Sequence, residues 1–96
     1  MKAEIYNHKQ WISETDPEIL MYYFWNVLKE SSFTILDFIE YKFDPEGYTA
    51  IWLLAESHFA LHTFPEEGKT YIELSSCSKA KHDIFLKLIN HEYEQN

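Results

Sequence analysis

Three residues capable of chemistry, Ser57, His62 and Cys77, stand at spacings of five and twenty positions counted from the serine. Ser57 lies in Glu56-Ser57-His58, His62 in Leu61-His62-Thr63-Phe64-Pro65-Glu66, and Cys77 in Ser76-Cys77-Ser78. Ahead of them runs Phe43-Asp44-Pro45-Glu46-Gly47-Tyr48-Thr49, whose Pro and Gly mark a turn. A hydroxyl can serve as a nucleophile, and an imidazole exchanges protons near neutral pH. Taken singly, each residue has a plainer explanation. Ser57 could be a turn serine, His62 a satisfied histidine on an apolar alternating segment, and Cys77 a small buried hydrophobe at a strand end. His58 and His62, four apart on a strand, can face one side, but no third ligand accompanies them and no metal site is expected.

Taken together, the four segments resemble the small prokaryotic type of S-adenosylmethionine decarboxylase. That family carries Phe-x-Pro-x-Gly, Glu-Ser-His, His-Thr-Trp-Pro-Glu and Thr-Cys-Gly motifs in this order and at these separations. The resemblance covers roughly two-thirds of the chain well, and the N-terminal third only in its strand-helix layout. It implies a proenzyme that cuts itself between Glu56 and Ser57 and turns the serine into a covalent pyruvoyl cofactor. Decarboxylation leaves an electron pair on the alpha carbon, and a carbonyl conjugated through an imine to the substrate amine can accept it. No ordinary side chain can.

The resemblance also assigns roles. The Ser57 hydroxyl would attack the carbonyl of Glu56, and elimination and hydrolysis would follow. His62 would remove the alpha proton of Ser57, and the Thr49 hydroxyl would assist processing. Cys77 would protonate the substrate carbon after carbon dioxide leaves. Phe43 matches the ring that stacks on adenine, and Glu66 the carboxylate that binds the ribose hydroxyls. Further implications are a homodimer that packs two sheets face to face, with active sites drawn from both protomers, and a place in spermidine synthesis. Phe64 stands where the family has Trp, and Ser78 where it has Gly. Residues 67–73 differ as well. These departures bear on the substrate. A pyruvoyl-dependent arginine or ornithine decarboxylase is therefore an alternative, as is an unprocessed, non-catalytic homologue.

Bulk composition narrows the partners. Sixteen acidic against eight basic residues give a net charge of −8, which disfavours nucleic acid and anionic lipid and suits a cationic small molecule. A single cysteine excludes an internal disulfide, and no apolar run approaches the roughly 20 residues of a membrane span. With no basic-then-apolar leader in view, a cytoplasmic location is expected.

The elements that must position these residues follow from periodicity. The 96 residues predict one domain, 1–96, that is mostly regular structure. Met1–Tyr6 alternates and predicts a short strand, with Asn7–Thr15 as a polar connection. Asp16 and Pro17 begin a helix running to about Glu30, its core stripe being Leu20, Phe24, Val27 and Leu28. Tyr22, Tyr23 and Trp25 need a further surface to cover them. Strands are predicted at Phe33–Phe43, Tyr48–Ala55, His58–Phe64 and Thr70–Ser76, with Phe33, Ile35, Ile39, Tyr41 and Phe43 on one side of the first. Ser78 caps a last helix at about Lys79–Glu94, with a stripe of Phe85, Leu88 and Ile89. Short turns between successive strands require antiparallel pairing. The expected fold is an α/β (α+β) two-layer sandwich, an antiparallel sheet with two helices on one face and an apolar face left open.

Overall fold

A computed structural model describes residues 3–93. The order is β1 (Tyr6–Ile12), α1 (Pro17–Glu30), β2 (Ile35–Lys42), β3 (Tyr48–Leu54), β4 (Ser57–Phe64), a 3-10 turn (Pro65–Glu67), β5 (Lys69–Ser76) and α2 (Lys79–Glu92). The five strands form one sheet in the order β1-β5-β4-β3-β2, every pair antiparallel. Asp16 caps α1 as expected, its Oδ1 accepting from the backbone N–H of Glu18 and Ile19 at 2.9 and 3.1 Å. At the other end Ser32, at φ +71°, takes the left-handed position that glycine usually fills. Ser32 N–H then donates to Lys29 O and Phe33 N–H to Leu28 O, closing the last turn.

Both helices cover the same sheet face. Leu20, Phe24 and Leu28 of α1 and Phe85 and Ile89 of α2 are fully buried against Tyr48, Trp52, Phe59, Leu61, Ile72 and Leu74. Phe59 joins the layers: its ring lies 4.7 Å from Phe24, 5.4 Å from Phe85 and 5.5 Å from Trp52, centroid to centroid. Burying each such side chain contributes about 1.5–3 kcal/mol. Trp25 finds its cover in Phe38 and Trp52, and Tyr23 in Tyr93, whereas Tyr22 stays exposed.

Three expectations need correction. The first strand is Tyr6–Ile12, not Met1–Tyr6; Met1 and Lys2 lie outside the described residues, and Ala3–Ile5 form no strand. Its inward positions include His8 and Gln10, so polar residues hide the alternation that Ile12 alone reveals. In β2 the register shifts between Ile35 and Asp37: Ile35 pairs with the core residue Leu54, Asp37 with the outward Leu53. This bulge turns Ile39, Tyr41 and Phe43 away from the helices, so they do not share a side with Phe33 and Ile35. In α2, Leu88 is only partly buried, and His82 fills the buried stripe with Phe85 and Ile89.

Opposite the helices, the sheet presents Ile39, Tyr41, Ile51 and Leu53 in a contiguous apolar area, with Trp11, Phe43 and Phe64 nearby. Ile39 is 68% and Leu53 50% exposed. Such a patch marks an interaction surface more often than a bare exterior.

Candidate active site

β4 carries two of the three residues singled out at the start, at its opposite ends. A two-residue turn, Ala55–Glu56, joins β3 to β4, so Ser57 pairs with Leu54 on one side and Ser76 on the other. Glu56 is held at φ +58°, a left-handed conformation that costs a non-glycine residue roughly 1–2 kcal/mol. The strained residue is the one whose carbonyl precedes Ser57. Cys77 follows β5 directly, and its exposed Sγ donates to Glu56 Oε1 at 3.4 Å. Glu56, Ser57 and Cys77 therefore form one cluster.

The second cluster lies at the far end of β4. His62 pairs with Thr49 of β3 and Tyr71 of β5. His62 Nδ1 and Thr49 Oγ1 are in hydrogen-bond contact at 2.9 Å, with the donor set by the imidazole tautomer. Phe43, Thr49, His62, Phe64 and Glu66 line one cavity of about 350 Å³, together with Glu46. Two turns build its walls. Phe43 N–H donates to Gly47 O at 2.8 Å across a loop in which Gly47 takes φ +116°, a value suited to glycine. Pro65–Glu67 forms the 3-10 turn that presents Glu66, and Thr63 Oγ1 accepts from Tyr48 N–H to bind the two turns together.

Within one chain the two clusters do not meet. Five residues of strand at about 3.3 Å each put His62 roughly 16 Å from Ser57. The odd spacing also puts them in opposite phase, Ser57 with Phe59 and Leu61, His62 with His58 and Ala60 on the open face. His62 cannot reach Ser57 of its own chain in this arrangement.

Three neighbours escaped the sequence reading. Tyr71 stands beside His62, and its hydroxyl donates to Glu73 Oε1 at 2.8 Å, a carboxylate bond that holds the phenol above its ordinary pKa. Trp11 packs edge-on against Phe64 and Tyr71 at 5.7 and 5.4 Å, with Lys69 Nζ over its ring. Glu46 supplies a second carboxylate to the cavity. The signal for Tyr71 was present: counting back two pairs from Phe64 and Lys69, on either side of the turn, sets His62 opposite it. Trp11 could not be found, because its strand was misplaced. Among the described residues no three His, Cys, Asp or Glu side chains gather as a metal site would require, and no helix is long and apolar enough to cross a membrane.

The chain is thus an antiparallel five-stranded sheet backed by two helices, with Ser57 and Cys77 at one end and a threonine–histidine cavity at the other. The family model for S-adenosylmethionine decarboxylase matches residues 3–96, and the chain belongs to that family. The S-adenosylmethionine decarboxylase proenzyme of Prochlorococcus marinus (strain MIT 9313) is 41% identical over 49 residues, covering 51% of this chain and 39% of that protein. The proenzyme of Aquifex aeolicus is 38% identical over 50 residues, 52% of this chain and 37% of its own length. The matched segment thus spans about two-fifths of these relatives. The crystal structure of the adenosylmethionine decarboxylase from Aquifex aeolicus superposes with a TM-score of 0.79 at 20% identity, over 100% of this chain and 85% of that one, which establishes a shared fold.

Proposed function

We propose that this chain is a proenzyme that cleaves itself between Glu56 and Ser57 and then decarboxylates S-adenosylmethionine, within spermidine synthesis. The observation that carries this reading is the contact of Cys77 Sγ with Glu56, the residue before Ser57. It places the thiol that would protonate the substrate carbon beside the residue preceding the future pyruvoyl group. In processing, the Ser57 hydroxyl adds to the Glu56 carbonyl, and the peptide C–N bond breaks as the C–O bond forms. The left-handed Glu56 favours this step by giving up its backbone strain. His62, oriented by Thr49, then takes the alpha proton of Ser57 as the ester oxygen leaves with Glu56. Hydrolysis of what remains gives the pyruvoyl group and ammonia. When formed, that group supplies the electron sink for decarboxylation of an amine substrate.

Because His62 and Ser57 of one chain lie apart, the proposal requires two chains. Packing the open faces of two copies in opposite directions would bring the Thr49–His62 end of each against the Ser57–Cys77 end of the other, with His62 meeting the Ser57 backbone and not its inward side chain. The apolar patch of Ile39, Tyr41, Ile51 and Leu53 supports such a homodimer. In the cavity, Phe43 would stack on adenine and Glu66 would accept from the ribose hydroxyls. The carboxylates of Glu46 and Glu66 favour a cationic substrate.

Carbon dioxide release from purified protein, assayed in parallel with S-adenosylmethionine, arginine and ornithine, tests the substrate. The expected result is turnover of S-adenosylmethionine alone. Turnover of either basic amino acid instead would replace the substrate and keep the cofactor. No release from any of the three would leave the non-catalytic reading.

A further inference from the structure

A small polar cluster that the chemistry above leaves unused joins α2 to the edge strand β1. His82, in the first turn of α2, is 7% exposed, and its Nδ1 is buried without a hydrogen-bond partner among the described residues. Facing it from β1 are Tyr6 and His8, whose ring centroids lie 6.0 and 6.4 Å away, His8 edge-on. His8 is itself engaged with Gln10, Nε2 to Oε1, at 2.6 Å. A second imidazole, not a carboxylate, meets the buried ring.

The same turn fixes the backbone on either side of the catalytic thiol. His82 N–H donates to Ser78 O at 3.0 Å, and Ser78 Oγ caps the helix by accepting from Lys81 N–H at 3.3 Å. Ser78 N–H donates in turn to Ser76 Oγ at 3.0 Å. Cys77 is held between these two serines. We propose that His82 is a positioning residue, packed neutral against His8, which docks the start of α2 and thereby Cys77, and that its protonation loosens both.

The groups facing His82 are His8 and Tyr6 from β1, and Lys79 and Asp83 on its own helix. On β5 the residues paired with Tyr6 and His8 are Ser76 and Leu74, and the buried face of that strand (Thr70, Ile72, Leu74, Ser76) carries no titratable side chain. Asp83 is already paired with Lys79, Nζ to Oδ2 at 2.8 Å, which leaves little negative charge for an imidazolium. Burial first, and His8 second, hold the His82 pKa below the ordinary histidine range, with Asp83 a partial offset. The sign follows. The unfolded chain takes up the proton near pH 6.5 and the folded one only below it, so this site loses stability as pH falls from about 6.5 toward the folded pKa.

The link to Cys77 rests on the decarboxylase reading; the acid-labile docking does not. The test is amide hydrogen exchange by NMR between pH 7.5 and 5.5, corrected for intrinsic exchange. Protection at Lys81 and His82 should fall severalfold, while β3 amides hold theirs. In His82→Leu the fall should vanish, and in His8→Gln, which keeps the buried ring, it should shrink. The same fall in His82→Leu, or constant protection in the wild type, would overturn the docking whatever the activity. Decarboxylation measured on the same samples should keep a higher fraction of its pH 7.5 rate at pH 5.5 in His8→Gln than in the wild type. An unchanged pH profile there, alongside altered exchange, would remove the link to Cys77 and leave the decarboxylase reading intact.

Discussion

Thr49 and His62 face each other across β3 and β4 with Oγ1 and Nδ1 2.9 Å apart, while the serine they would serve lies five residues along the same strand. Under the proposed chemistry this pair would act on the Ser57 of a second chain.

Thr49 contributes a hydroxyl, and its methyl is incidental to the contact with His62. Thr49→Ser should cut at a rate near that of the parent. Thr49→Val, matched in shape but unable to bond, should slow cleavage by about 100-fold, the lower range for a positioned proton-transfer group. A time course on denaturing gels distinguishes the two. Equal rates in both variants would remove Thr49 from the chemistry.

If the site is divided between chains as proposed, complementation follows. Ser57→Ala and His62→Ala should each be uncut alone. Co-refolded, the pair should regain cleavage, and only in the His62→Ala chain, which still owns Ser57. Leu53→Glu on the open face should abolish both dimerisation, followed by sedimentation velocity, and cleavage. Efficient cutting in a proven Leu53→Glu monomer would contradict the division.

Cys77 is assigned to the substrate reaction and not to processing. Cys77→Ala should therefore yield both fragments while carbon dioxide release falls by at least about 100-fold. Loss of cleavage in this variant would move Cys77 to the earlier step.

The left-handed backbone at Glu56 can be weighed apart from catalysis. In the uncuttable Ser57→Ala background, Glu56→Gly should raise unfolding stability by up to about 1 kcal/mol, measured with urea, because glycine adopts φ +58° without steric cost. Destabilisation would show that the Glu56 side chain, through Cys77, outweighs the strain.

Much of this architecture was legible because local signals and global packing agree. Asp16-Pro17 announced α1, and Ser78 announced α2. The short links at Asp44–Gly47 and Pro65–Gly68 forced antiparallel pairing, which gave a sheet with its helices on one side. Reading failed where polar residues point inward. His8 and Gln10 made β1 look like a loop, and His82 was passed over in favour of Leu88 because burial of an imidazole leaves no trace in hydropathy. The bulge after Ile35 was equally hidden. One extra residue reverses every later side chain in β2, and nothing in Ile35-Leu36-Asp37 marks it.

The candidate site reads from the sequence as a set of proposed residues and not as an arrangement. Motif spacing selected Ser57, His62 and Cys77, yet a five-residue interval within a strand already implies opposite faces and roughly 16 Å of separation. Only the pairing of Thr49 with His62, and of Ser57 with Ser76, shows which residues are neighbours.

Scission of one peptide bond is the event on which the rest depends, and intact-mass spectrometry of purified, incubated protein reads it directly. Two species should be found, residues 1–56 and a blocked 57–96 whose first residue has lost its amine, with Ser57→Ala remaining whole. A single full-length mass with an ordinary serine at 57, unchanged after prolonged incubation, would contradict the account.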